Sequence, residues 1–219
     1  MRRMITLYTI PGSSATAVRL ALEEAGGEYD SIVVERDEAG NNTAPAGYDR
    51  LNPMGKVPTL VDGELVLTEA AACCLYVAAK YPNAELMPEA GSADWARTLR
   101  WLTLLTNTAQ AAYLRWYYPE QYTSAAGDAG AVQAAAAAEL GRVAVVLSDQ
   151  IGDGPFLLAD RFTIADGFLA MLTGWGEELE AGSRWSDTAA LARHYNAVAA
   201  KPASGTVLAA EGFPEGFPS

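Results

Sequence analysis

Val57-Pro58-Thr59-Leu60-Val61-Asp62-Gly63-Glu64-Leu65-Val66-Leu67-Thr68-Glu69-Ala70 is the stretch that decides the fold. Two apolar runs, 57–61 and 64–67, flank Asp62-Gly63. Asp-Gly between such runs is the strongest short hairpin signal. Thr68 then offers a hydroxyl to cap a helix that runs to about Lys80, and Pro82-Asn83 ends it.

Upstream, residues 4–10 form a short apolar strand interrupted by Pro11-Gly12. Ser13 or Ser14 is the expected cap of a helix through Ala25, with Val18, Leu22 and Ala25 on one face and Gly26-Gly27 as its stop. Residues 29–35 alternate and are rich in β-branched side chains, so they form a second strand; a long polar stretch follows from Arg36 to about Met54. Strands joined through a helix run parallel, and a hairpin runs antiparallel. The order is βαβ-ββα, a small mixed sheet with helices on its faces.

Downstream, residues 85–91 are a Pro/Gly-containing linker, after which strand signals vanish. Helical periodicity covers 92–118 up to Pro119, the Ala-rich segment 130–151, 163–180, and 186–200 up to Lys201-Pro202. Thr163 and Asp166 form a variant of the capping box. Gly-Phe-Pro occurs at 212–214 and again at 216–218, and the tail that carries it reads as loosely packed.

Composition bounds the function. The 219 residues carry 15 basic and 27 acidic side chains, a net charge of −12, which disfavours nucleic acid and anionic membranes as partners. Half the residues are apolar and 19% are charged, so the chain folds. Its two cysteines, Cys73 and Cys74, are adjacent on a helix and point about 100° apart, so they do not bridge each other, and with one histidine they make no metal-spacing pattern. Met1-Arg2-Arg3-Met4-Ile5-Thr6 lacks the pattern of a signal peptide. No run of roughly 18 apolar residues is expected to span a bilayer. The default expectation is a soluble, reduced, cytoplasmic protein without a metal.

Several local sequences carry a resemblance. Asn52-Pro53-Met54-Gly55-Lys56-Val57-Pro58-Thr59-Leu60, Leu67-Thr68-Glu69-Ala70, Phe162-Thr163-Ile164-Ala165-Asp166 and the opening Leu7-Tyr8-Thr9-Ile10-Pro11-Gly12 stand in the order and spacing of the glutathione S-transferase family. The chain resembles that family over nearly its whole length, the opening being similar to bacterial members. The resemblance implies a thioredoxin-like α/β domain over residues 1–83, a linker at 84–91 and an all-helical domain over 92–219. It implies glutathione as co-substrate, a small hydrophobic electrophile as second substrate, and a homodimer.

Site residues follow residue by residue. Pro58 is expected to be cis, with the N–H and C=O of Val57 pairing with the tripeptide backbone as an added strand does. Lys56 is a local positive charge for an anionic tripeptide, a better candidate than Arg19. Glu69 would hold the ligand's ammonium, and the helix start would receive its glutamyl carboxylate. The chain departs from the family at Ala70, where Ser or Thr normally touches that carboxylate. A hydrogen bond to a charged group contributes roughly 1.5–3 kcal/mol, so its loss weakens binding about tenfold to a hundredfold. The Ala70 N–H and the Thr68 hydroxyl remain.

The family's reaction needs a thiolate, and lowering a thiol pKa from about 8.5 by two units takes roughly 2.7 kcal/mol. One hydroxyl donor beside a helix N-terminus supplies about that much. Three residues qualify: Tyr8, which coincides with the catalytic tyrosine of the tyrosine-type transferases; Ser14, where beta-type members carry a cysteine; and Ser13. Ala15 stands where serine-type classes carry their serine. For the second substrate, Tyr113, Trp116 and Tyr117, with Tyr118 and Tyr122, are the expected aromatic wall, and Arg115 among them would meet an anionic ligand. His194 and the two cysteines read as packing residues. The alternatives left open are a non-catalytic ligand-binding protein on this fold, favoured by Ala70, and a thiol-dependent isomerase or dehalogenase.

Overall fold

The computed structural model describes residues 4–38, 40–125 and 127–218. Met1, Arg2 and Arg3, part of the segment read as free of a leader, and Ser219, the end of the expected helical domain, lie outside the described residues. The N-terminal domain is built from β1 (Ile5–Thr9), α1 (Ala15–Glu24), β2 (Tyr29–Val33), β3 (Glu35–Arg36), β4 (Asn42–Ala44), α2 (Tyr48–Leu51), β5 (Thr59–Asp62), β6 (Leu65–Thr68) and α3 (Ala70–Lys80). The main sheet has the order β2-β1-β5-β6; β1 and β2 are parallel, and β1–β5 and β5–β6 are antiparallel.

Alternation sorts the side chains of β1. Ile5, Leu7 and Thr9 are buried, whereas Thr6 and Tyr8 are half-buried on the other face. Ile5 and Leu7 join Leu60 of β5, Val18 and Leu22 of α1, and Cys73, Cys74 and Val77 of α3 in one core. Tyr8 packs instead on Tyr48 of α2, ring centroids 5.3 Å apart. The polar stretch after β2 is not a plain loop. It folds into the β3–β4 ladder and α2, pinned where Arg36 and Asn42 donate to the Gly55 carbonyl at 2.9 and 3.1 Å.

The helical region comprises α4 (Ala93–Leu104), α5 (Ala111–Tyr117), α6 (Ala129–Ile151), α7 (Ile164–Trp175), α8 (Ala189–Ala199) and α9 (Pro202–Ala210). The single helix expected over 92–118 is broken by a π-helical segment, Leu105–Gln110. There Thr106 Oγ1 donates back to the Leu102 carbonyl at 3.0 Å, a local bond that loosens the regular ladder. The helix expected to reach 180 stops at Trp175 and is followed by a 3-10 turn, Gly176–Glu178. α9 was not anticipated: Pro202, read as a stop, also occupies the first turn of a new helix, where its missing N–H costs nothing.

The tail is not loose. Phe213 and Phe217 pack on the helical core, Tyr195 donates to the Pro214 carbonyl at 2.6 Å, and Asn196 bonds both polar groups of Phe217. α6 corrects another expectation: by length and composition alone it is apolar enough to cross a membrane. Alanine supplies most of that apolarity. One stripe, Leu140, Val143 and Leu147, is buried against the bundle, and Glu139 on the same helix pairs with Arg115 at 2.5 Å. Asp166 closes the start of α7: its Oδ2 accepts from the Thr163 N–H and its Oδ1 from the Leu157 N–H, at 2.8 Å each, and Nε2 of fully buried His194 lies 3.2 Å from the same Oδ1.

Candidate active site at one end of the sheet

Register brings the expected site residues to one end of the sheet. Tyr8 near the end of β1 stands opposite Thr59 at the start of β5, and Thr59 stands opposite Thr68 at the end of β6. Strands lie about 4.8 Å apart, so Tyr8, Thr59 and Thr68 form a row roughly 10 Å long. Val57-Pro58 leads into this row, Glu69-Ala70 leaves it, and Pro11 to Ser14 closes over it from β1.

The Val57–Pro58 peptide is cis. The turn before it is held from below. Tyr48 Oη donates to the Lys56 carbonyl and lies 2.8 Å from Thr59 Oγ1. Asn52 Nδ2 reaches the same carbonyl at 2.6 Å, while its Oδ1 accepts from the Met54 N–H at 3.1 Å. Asn52 is 3% exposed, and burial raises the Tyr48 phenol pKa, so both act here as neutral hydrogen-bonding groups. With Lys56 tied down, Val57 is left half-buried, and its N–H has no partner among the described residues. The Lys56 side chain is exposed beside a polar depression of about 270 Å³ lined by Arg36, Asn41, Asn42 and Asp49.

The three candidate hydroxyls differ in their engagements. Ser14 is 8% exposed and its Oγ donates to the Val57 carbonyl at 3.2 Å. Ser13 Oγ accepts from the Ala15 N–H at 3.3 Å, and Tyr8 Oη has no hydrogen-bond partner among the described residues. Ser14 does not cap α1 through its side chain, contrary to the simplest expectation for a serine at that position. Its hydroxyl is turned to the Val57 edge instead.

Glu69, not Thr68, occupies the N-cap of α3, with φ +67° and ψ +113°. Positive φ in a residue with a side chain costs of order 1–3 kcal/mol and collects at ligand clamps. It leaves the Glu69 side chain exposed and the Ala70 N–H in the unpaired first turn of the helix. Thr68 makes no capping bond and ends β6.

The aromatic group divides. Tyr113 is fully buried in the helical core, against Trp175 and Trp185 at centroid distances of 6.0 and 5.4 Å, and does not border open space as the sequence suggested. Trp116 and Tyr117 are half-buried and stack edge to face at 4.9 Å; Tyr118 and Tyr122 are exposed. The Tyr117 hydroxyl donates to the Trp175 carbonyl at 2.7 Å. Arg115 is engaged by Glu139, and Arg19 by Glu211 and Tyr29, so neither is free for a ligand. Burial pushes the Cys73 thiol up to about 12 and Cys74 well above its ordinary value, which fits packing roles. Sequence reading missed Asn52, Tyr48, Trp175 and Glu211 as supports; only Asn52 lay in a motif already singled out.

Known proteins resemble the chain in sequence and in fold. Residues 4–79 match the family model for the glutathione S-transferase N-terminal domain. The chain is 31% identical over 177 residues to Glutathione S-transferase 3 of Zea mays, covering 77% of this chain and 76% of that protein. It is 31% identical over 123 residues to a probable maleylacetoacetate isomerase of Vibrio cholerae, covering 48% of this chain and 57% of that one. Among solved structures, a glutathione transferase homologue from Sulfitobacter with bound glutathione superposes with a TM-score of 0.83 at 26% identity, covering 98% of this chain and 100% of the other.

Proposed function

The chain belongs to the glutathione S-transferase family, and from that premise we propose that it adds the glutathione thiolate to an apolar, electrophilic small molecule. In this reading the cysteinyl peptide of glutathione pairs with the N–H and C=O of Val57 beside Pro58. The ligand's ammonium meets Glu69. Its glutamyl carboxylate meets the Ala70 N–H and the Thr68 hydroxyl, and Lys56 offsets its negative charge.

Ser14 is the proposed activator. Its hydroxyl bond to the Val57 carbonyl is the single observation that carries the reading. It fixes a rotatable O–H donor on the atom that would accept the cysteinyl N–H, within reach of the cysteinyl sulfur. When the ligand takes that carbonyl, the Ser14 O–H turns to the sulfur. The N-terminus of α1, where Ser14 sits, favours the same negative charge. The thiol proton leaves to solvent, the sulfur lone pair forms the C–S bond, and the electron pair displaced at carbon leaves with the leaving group or enters the conjugated acceptor. Trp116 and Tyr117 provide the apolar wall for that carbon, with Tyr113 as its buried backing. Tyr8 and Ser13 border the site as accessory hydroxyls. The protein works as a homodimer.

A second reading is thiol-dependent isomerisation, favoured by the likeness to the probable maleylacetoacetate isomerase. The thiolate would add to a double bond and be expelled after rotation, leaving glutathione unconsumed. Titration calorimetry with glutathione, followed by turnover of a generic aromatic halide, tests the first reading. Binding at micromolar to millimolar concentration with stoichiometric thiol consumption supports it. Binding without consumption, with isomerisation of an activated cis olefin, favours the second. Absence of binding at millimolar glutathione favours a ligand-binding protein of another specificity.

A further inference from the structure

Gly12 immediately precedes Ser13 and Ser14, and both of its backbone polar atoms are gripped by residues distant in sequence. Its N–H donates to Glu211 Oε2 at 2.8 Å, and its C=O accepts from Trp175 Nε1 at 2.7 Å. The partners are 199 and 163 residues away in sequence. The N–H belongs to the Pro11–Gly12 peptide and the C=O to the Gly12–Ser13 peptide. Holding both planes therefore fixes both φ and ψ of a residue with no side chain of its own to limit them. Gly12 needs such a hold, since it sits at φ +72°, one of several conformations open to glycine at little cost.

Each grip is itself braced. The Glu211 carboxylate also accepts from Thr16 Oγ1 at 3.1 Å and pairs with Arg19, and its side chain is fully buried. Trp175 is bonded through its carbonyl to Tyr117 Oη and lies edge-on to Tyr113 and Tyr117. Neither Glu211 nor Trp175 is needed as a ligand for glutathione in the reading above, and the hydrogen bond of the Ser14 side chain goes to Val57 rather than to either of them.

We propose that Trp175 and Glu211 are positioning residues for thiol activation: by locking the two dihedrals of Gly12 they hold the Ser14 hydroxyl on the Val57 edge. The inference rests on Ser14 being the donor to the thiolate. Loosening either grip lets Gly12 sample other conformations, and the fraction of molecules with Ser14 in place falls. The bound thiol then loses its donor part of the time, while the Val57 edge and α3, which bind the tripeptide, stay intact.

The test is titration of glutathione bound to the full-length protein, followed by the ultraviolet absorbance of the thiolate, in wild type, W175F, E211A, E211Q and S14A. W175F and E211A are expected to raise the bound thiol pKa by about 0.5–1 unit, to lower kcat/KM roughly three- to tenfold on the acid limb, and to change the glutathione Kd less than threefold. E211Q keeps an oxygen for the Gly12 N–H and is expected between wild type and E211A. Circular dichroism of the assayed samples confirms that each variant is folded, and if W175F does not fold, the E211A and E211Q pair decides. An unshifted bound-thiol pKa in folded W175F and E211A, with S14A shifted, overturns this inference alone. A wild type that shows no depressed thiol, or an S14A equal to wild type, overturns the Ser14 reading and this inference with it.

Discussion

Arg19 on the first helix and Glu211 beyond the last one form an ion pair across 192 residues of chain. The pair joins the two ends of the molecule directly behind the loop that carries Ser13 and Ser14. The Glu211 side chain is fully buried and that of Arg19 is 21% exposed. Removing one partner of a buried pair costs roughly 3–5 kcal/mol, because the remaining charge is left uncompensated. Arg19→Ala is therefore expected to lose stability near the lower end of that range, given the partial exposure. Urea unfolding measures it, and a loss below about 1 kcal/mol would show that the pair is dispensable.

Ala70 is the position at which a hydroxyl was expected and a methyl stands. On the proposed reading, Ala70→Ser restores a donor to the glutamyl carboxylate at the start of α3. The expected gain is about tenfold to a hundredfold in glutathione affinity, read by titration calorimetry. An unchanged affinity would mean that the carboxylate does not sit at this helix start.

Trp116 faces partly outward while Tyr113 does not. Trp116→Ala is expected to raise KM for apolar electrophiles roughly five- to thirtyfold, the equivalent of about 1–2 kcal/mol of lost apolar contact, and to leave the glutathione Kd unchanged. Tyr113→Ala should instead lower the melting temperature, since it empties a core site at a cost of about 3–5 kcal/mol. Steady-state kinetics and thermal melts separate the two effects. Equal KM effects from both variants would argue against the division.

The two thiols give a pH dependence with a definite sign. Burial holds the neutral form of Cys73, whose pKa rises from an ordinary 9.0 to about 12, and Cys74 shifts the same way. Above pH 9 the unfolded chain releases these protons and the folded chain retains them, so stability is full below that point and falls as pH rises towards 12. At neutral pH neither thiol should react with a disulfide reagent in the native protein, and both should react after denaturation. Rapid labelling of the native state would contradict the burial.

What could be read from the sequence was local. Asp62-Gly63 between apolar runs, Gly26-Gly27 after a helical face and Thr163 before Asp166 are signals carried within a few residues, and the βαβ-ββα order followed from them. The contacts that finish the site are not local. Nothing near Gly12 announces Trp175 or Glu211, because hydrogen bonds between residues 163 and 199 positions apart leave no periodicity. The tail shows the same: Gly-Phe-Pro repeats look like loose chain until Phe213 and Phe217 pack against the cluster that holds Ala170, Tyr195, Val198 and Val207. The π segment at Leu105–Gln110 has a helical composition, and its one extra residue per turn changes no hydrophobic pattern long enough to be noticed. At the site itself, the sequence narrowed the activator to Tyr8, Ser13 and Ser14. It could not separate them, since the difference lies in which way a hydroxyl points.

The most direct measurement is the titration of the thiol of bound glutathione in wild type against Ser14→Ala, with Ser13→Ala and Tyr8→Phe alongside. A wild-type pKa about two units below the free value near 8.5 is expected, together with a rise of about one unit or more and a kcat/KM loss of at least tenfold near pH 6.5 in Ser14→Ala alone. A Ser14→Ala protein that ionises bound glutathione as wild type does, with the loss appearing in Tyr8→Phe or Ser13→Ala instead, would contradict the assignment of the Val57-bound hydroxyl as the activator.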